Sequence, residues 1–280
     1  MLATNWEKAA GGKMSFDVAS VRPAEQFKAA NIPLGSDDAF TPTGSLFRIS
    51  APASTFVMFA YRLFLTNKEV DAMLAGLPAW VKTQNYAIEA RGPEGQTKDQ
   101  IRLMMQSLLA ERFGLKVHIE DRDMPVLVMT IAHRGKLGPD LHLHSEGPSC
   151  DRIVPTPADK TVPTIWPLVC KEYALRFDGV HPAMVGARDT TMDLTAMSIK
   201  EWAEDEMGRP LVNRTGLSGQ YDFTLTWALN PGGTLPPEST ALQGPTFLEA
   251  MREQLGIKLT PAKLPMKVLV IDHIEKPSEN

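Results

Sequence analysis

The chain has 280 residues, a formal net charge of −4, and apolar and charged shares of 43% and 22%. That is an ordinary globular balance, long enough to bury a core without metals or many disulfides and enough for one large domain or two small ones. The negative balance and the lack of a polybasic run exclude a broad nucleic-acid surface, and no stretch approaches the roughly 20 apolar residues that cross a bilayer.

Residues 1–14 read as an N-terminal tail without the basic and apolar regions of a signal peptide. Either the protein is cytosolic, or an exported form carries its signal or membrane segment ahead of this stretch. Residues 16–21 (Phe-Asp-Val-Ala-Ser-Val) alternate apolar and polar side chains and stop at Arg22-Pro23, a strand pattern. Residues 26–43, rich in Pro, Gly and Asp, read as an irregular loop, and 46–50 as a second short strand. Ser54 or Thr55 is placed to cap a helix carrying Phe56, Phe59, Ala60 and Phe64, a spacing that predicts core packing rather than a pocket lining. A short helix with Val70, Met73 and Leu74 follows, then a strand over 86–90.

The clearest stretch is 97–133. Thr97 is a good N-cap with Gln100 at the capping-box position. Ile101, Met104, Met105, Leu108 and Leu109 follow at helical spacing, and Gly114 is a helix stop. Residues 116–120 and 126–132 then read as two strands, completing a helix–strand–strand unit. Moving the register from Gly114 to Gly256 repeats this unit over 246–274 without a gap. Leu115 falls on Ile257, Lys116 on Lys258 and Leu127 on Leu269; upstream, Met105 falls on Phe247 and Leu109 on Met251. A looser third copy over 198–227 has Ile199, Trp202, Ala203 and Met207 on a helix face, Gly208 as its stop, and strands at 211–212 and 221–227. Repeats of this size imply one reused unit in which a helix covers a β-hairpin. The expected fold class is α+β, with repeated helix–strand–strand units on antiparallel or mixed sheet and residues 15–280 as one domain.

Phe16-Asp17-Val18-Ala19-Ser20-Val21-Arg22-Pro23, Gly208-Arg209-Pro210-Leu211-Val212, Thr215-Gly216-Leu217-Ser218-Gly219-Gln220-Tyr221-Asp222-Phe223 and Val270-Ile271-Asp272-His273-Ile274-Glu275-Lys276-Pro277 follow one another in order. Through these motifs the chain resembles, nearly end to end, a large family of uncharacterised secreted proteins of soil bacteria. The resemblance implies export, because its members usually carry a signal peptide or follow a membrane-embedded zinc peptidase of the antibiotic-sensing type. Each helix–strand unit also resembles the short N-terminal domain of secretins and TonB-dependent receptors, a periplasmic interaction module. The family has no catalytic residues to carry over. The two cysteines, Cys150 and Cys170, bracket a stretch with Pro155, Pro157, Pro163 and Pro167. A bridge between them would stabilise the fold by about 3 kcal/mol through the entropy of the unfolded chain. The resemblance to exported proteins favours the bridge over two separate buried thiols.

No Gly-x-Ser-x-Gly elbow, His-Glu-x-x-His helix or phosphate-binding Gly-x-x-x-x-Gly-Lys loop occurs, and no motif calls for a cofactor. His142 and His144 are the metal candidates, since both rings would project to one face of an extended segment; the flanking Gly-Pro pairs argue instead for a solvated loop. Arg209, before Pro210, can hold a carboxylate ligand through its fork or pair with an internal acid such as Asp222. Asp272 and His273 are strand neighbours that face opposite sides, so His273 is a binding candidate apart from Asp272. Glu201, Glu204, Asp205 and Glu206 read as a solvated helix face around Trp202. Three functions remain open. The leading one is an extracytoplasmic domain, sensory or not, that binds a small molecule or an envelope protein. The second is a secreted hydrolase for an ester or glycan with a loop-built site, and the third a structural envelope interaction module.

Overall fold

A computed structural model of the chain describes residues 6–34, 44–63, 65–133, 135–146, 170–171, 173–176, 181–202, 208–229, 240–241 and 243–277. Among these, seven helices and ten strands form three antiparallel or mixed sheets, an α+β fold. The chain divides into two compact units, Met1–Asp123 with Pro265–Asn280, and Met124–Leu264. Among the described residues no helix is long and apolar enough to cross a membrane.

The first unit is built on the antiparallel sheet β1 (Val18–Ala24), β2 (Leu46–Pro52) and β3 (Asn85–Arg91), in the order β1-β3-β2. Strand alternation sends Val21, Phe47, Ile49, Ala51, Tyr86, Ile88 and Ala90 into one core, under α2 (Ala53–Ala60) and α5 (Lys98–Arg112). Helix α2 starts directly from β2 at Pro52 with no side-chain cap, and Ser54 is buried in its first turn. The cap expected of Ser54 or Thr55 does not form, because the N-cap position falls on Pro52, whose fixed φ of −65° leads the strand into the turn. Two short helices, α3 (Asn67–Met73) and α4 (Trp80–Thr83), fill the connection to β3. The tail also carries order from residue 6 onward. Trp6 is buried in α1 (Trp6–Ala9), Gln106 Nε2 donates to Glu7 Oε1 at 2.9 Å, and Ser107 Oγ donates to the Met14 carbonyl at 2.5 Å.

Tyr61 closes α2 and is partly buried. Burial, and then the nearby charge of Glu7, push its phenol up from 10.0 to about 12. A raised phenol disfavours ionisation in the folded state. This stabilisation is complete below pH 10 and is lost as the pH rises through about 12. Ultraviolet titration of the native protein is expected to show a late tyrosine transition near pH 12 that disappears in Tyr61→Phe. A late transition unchanged in the variant would assign it elsewhere.

Thr97 caps α5 with Gln100 in a complete capping box, and Thr246 caps α7 (Phe247–Glu253) with Glu249 in the same way. The Thr246 backbone and hydroxyl bonds hold the exposed Glu249 carboxyl below its usual range. Both helices are followed by left-handed glycines, Gly114 at φ 56° and Gly256 at φ 71°. Each glycine opens a single long strand, β4 (Lys116–Ile131) and β10 (Ile257–His273), where two strands and a turn were expected. No Gly or Asn offers a turn between 120 and 126, and alternating exposed charges suit an extended ribbon. The strands are neighbours in one sheet. In the first unit His118 meets Asp272, and in the second the Ala132 N–H donates to the Gly256 carbonyl, so they run antiparallel.

Each long strand begins in one unit and ends in the other. The first core takes Leu115 from just before β4 and Leu269 and Ile271 from the end of β10. The second takes Ile257 from the start of β10 and Leu127 and Met129 from the end of β4. In the register that sets Gly114 on Gly256, Leu115 and Ile257, Leu127 and Leu269, and Met105 and Phe247 are all buried, while Lys116 and Lys258 are exposed.

The second unit has the sheet β5 (Leu141–Leu143), β9 (Tyr221–Trp227), β7 (Ala183–Thr190) and β6 (Tyr173–Arg176), in that order and antiparallel throughout. Helix α6 (Met192–Trp202) follows β7 as α2 follows β2. The expected third copy does not form a hairpin, because β8 (Leu211–Asn213) pairs parallel with β4 while β9 joins β5 and β7. The reason is local. Asn213 Oδ1 accepts the Thr215 N–H at 3.0 Å and Thr215 Oγ1 accepts the Leu217 N–H at 3.2 Å, and these side-chain turns redirect the chain after β8. Gly208 is left-handed at φ 45°. The helix face predicted to reach it, with Ala203, Met207 and the acidic residues 204–206, lies outside the described residues, as does Phe64.

Candidate functional site

Strand β9 sends Tyr221, Phe223, Leu225 and Trp227 into the second core, which turns Asp222 to the opposite face. The Asp222 side chain is 14% exposed. Its Oδ1 accepts from His144 Nδ1 at 2.7 Å and from the Asp189 backbone N–H at 2.9 Å. Its Oδ2 lies 3.6 Å from Nε of Arg188, which is buried. A carboxylate only accepts, so the proton of this pair sits on Nδ1 and the imidazole is held in one orientation.

The backbone explains why these groups meet. Pairing of β7 with β9 jumps from Ala187↔Phe223 to Thr190↔Tyr221, so Arg188 and Asp189 together stand opposite Asp222. This is a β-bulge, and it aims a side chain that regular pairing would send elsewhere. Asp189 sits at φ 54° and Lys171 at φ 62°, both left-handed. The Lys171 N–H donates to the Arg188 carbonyl at 2.8 Å, its Nζ lies 3.9 Å from Asp189 Oδ2, and the Tyr173 hydroxyl bonds Thr190 Oγ1 at 2.5 Å. The arrangement ties down a strained bulge and presents an oriented imidazole. An acid-oriented imidazole is also the positioning half of a nucleophilic triad.

The sequence candidates distribute as follows. Asp222 and His144 come together. His142 is exposed on β5, and β5 ends at Leu143 with His144 opening a 3₁₀ turn, so strand alternation does not carry both rings to one face. Among the described residues no three His, Cys, Asp or Glu side chains gather into a metal-holding group. Arg209 is exposed, and the guanidinium beside Asp222 is that of Arg188. No motif marks Arg188. Its signal is an Arg-Asp pair ending an otherwise apolar strand. His273 is exposed with Nε2 3.6 Å from Glu275 Oε2, while Asp272 takes His118 Nδ1 at 2.8 and 2.9 Å. Both members of the His118–Asp272 pair are about half exposed, so the pair adds little stability. Cys150 lies outside the described residues.

The first unit carries a second candidate. The outward residues of β1, β3 and β2 form cross-strand rows: Val18, Arg91 and Leu46 in one, Ser20, Glu89 and Arg48 in the next. Arg48, Glu89 and Arg91 are exposed. Among the described residues none of these three side chains makes an ion pair or a hydrogen bond, although Arg48 and Glu89 are direct cross-strand partners. The two rows line an open groove of about 330 Å³.

No curated protein and no solved structure matches the chain. A family model described as "Protein of unknown function (DUF3738)" matches residues 54–274, from the first turn of α2 to the residue after β10, and so takes in both long strands and the bulge that holds Asp222. The chain belongs to the DUF3738 family.

Proposed function

We propose that this protein is a ligand-binding module that works outside the cytoplasm, as a secreted or periplasmic domain, and that the outer face of β1, β3 and β2 is its recognition surface. The observation that carries the reading is the groove with Arg48, Arg91 and Glu89 exposed over it and left without ion pairs among the described residues. Opposite charges set directly across a sheet ordinarily pair, and charges held apart over a depression are suited to a polar ligand. A thermal-stability screen of wild type and of Arg48→Gln/Arg91→Gln tests it. Ligands that raise the melting temperature of wild type and not of the variant are expected; ligands that act equally on both would overturn it.

The extracytoplasmic part of the reading draws on the resemblance to secreted soil-bacterial proteins, to sensor-fused relatives and to periplasmic interaction domains. It also draws on the Cys150–Cys170 bridge proposed here. Mass spectrometry of non-reduced protein is expected to find peptides containing 150 and 170 joined. Two thiols that alkylate freely without reductant would remove the bridge.

A hydrolase is the second reading, favoured by the imidazole of His144 held by Asp222. It expects turnover of a chromogenic ester or glycoside by wild type that is lost in His144→Ala.

A further inference from the structure

We infer that the groove on the first unit takes a zwitterion of dipeptide size, with its carboxylate between Arg48 and Arg91 and its ammonium on Glu89; this inference rests on the binding-module reading. The charge pattern selects the class. Arg91 and Arg48 sit one row apart on adjacent strands, a diagonal of about 7–8 Å that two guanidinium side chains span to reach one carboxylate. Glu89 stands directly opposite Arg48 and in line with Arg91 on β3, so any ligand held by both arginines lies within reach of a carboxylate. A second anionic group would be repelled there, whereas an ammonium would be attracted.

The rest of the lining fits the same class. Ser20 flanks Glu89 on the far strand and offers a hydroxyl to a peptide N–H or carbonyl. Val18, 61% exposed, and Leu46 flank Arg91 and form walls for a small apolar side chain. A volume of about 330 Å³ is at the small end of ligand pockets, which limits the occupant to about two residues. The contacts are solvent-exposed, so binding is expected to be weak and to fall further with added salt.

Isothermal titration of the full chain at low ionic strength tests the inference with four probes: alanyl-leucine, its C-terminal amide, its N-acetyl form, and succinate as a dianion without an ammonium. Alanyl-leucine should bind, with the amide at least tenfold weaker and the N-acetyl form several-fold weaker. Glu89→Gln should bind the free and N-acetyl forms alike, and Arg48→Gln/Arg91→Gln should lose both. All three positions are exposed, so unchanged circular dichroism and melting temperature are expected for the variants. Succinate binding more tightly than the dipeptide, or the amide binding equally well, would overturn the zwitterion. If the stability screen yields ligands that depend on the two arginines but alanyl-leucine gives no heat, the peptide class falls and the binding module stands. If no ligand depends on the arginines, both fall.

Discussion

Replacing Asp222 by alanine is expected to lower the unfolding free energy by about 3 kcal/mol, the range found when one partner of a buried ion pair is removed. Three interactions end together: the Arg188 contact, the Asp189 N–H bond and the hold on His144. Arg188 stays buried with less compensating charge. The bulge also loses the acceptor that fixes a left-handed Asp189, so the damage should reach the pairing of β7 with β9. Asparagine, which keeps the shape and an acceptor oxygen but not the charge, should fall between wild type and alanine. Arg209→Ala, at an exposed position, should change stability by less than about 0.5 kcal/mol. Urea unfolding of the four proteins decides the matter. Equal midpoints for Asp222→Ala and Arg209→Ala would show that the buried cluster does not stabilise the fold.

The second large effect is expected at Gly256. A left-handed backbone costs a Cβ-bearing residue about 1–2 kcal/mol by itself, and Gly114 and Gly256 share that cost. They differ in what a Cβ would meet. At Gly256 it would lie 2.6 Å from the backbone nitrogen of Gly138 and 3.0 Å from the carbonyl carbon of Leu137. That loop cannot step aside cheaply, because the Gly138 N–H donates to Leu255 O at 3.0 Å and the Asp140 N–H to Gln254 O at 2.9 Å. At Gly114 the nearest atom would be Glu275 Oε1 at 2.9 Å, the end of an exposed side chain that can swing into water. Gly256→Ala should therefore cost about 2–4 kcal/mol and Gly114→Ala about 1–2 kcal/mol. The difference in denaturant midpoint is the measurement, and a Gly114 variant as damaged as the Gly256 variant would refute the steric account.

The separation between local and distant causes is visible residue by residue. Thr97 with Gln100 and the stops at Gly114 and Gly256 were legible because capping and left-handed turns depend on residues a few positions apart. The strand pattern of β3 was legible from alternation, and the matched register of 115 with 257 from periodicity. For the candidate sites the same means found Asp222 and His144 but not their relation. What joined them is a bulge on β7, and its effect depends on β9, more than thirty residues further along the chain. The rows that set Arg48 beside Glu89 likewise exist only once β2 has paired with β3. Tertiary structure alone decided these features, along with the choice of β4 as the parallel partner of β8. Local preference fixes where the backbone can bend and which side chains face alike. The partner and register of a strand are chosen by burial and by hydrogen bonds to chain far away, and a single stretch of sequence does not contain that information.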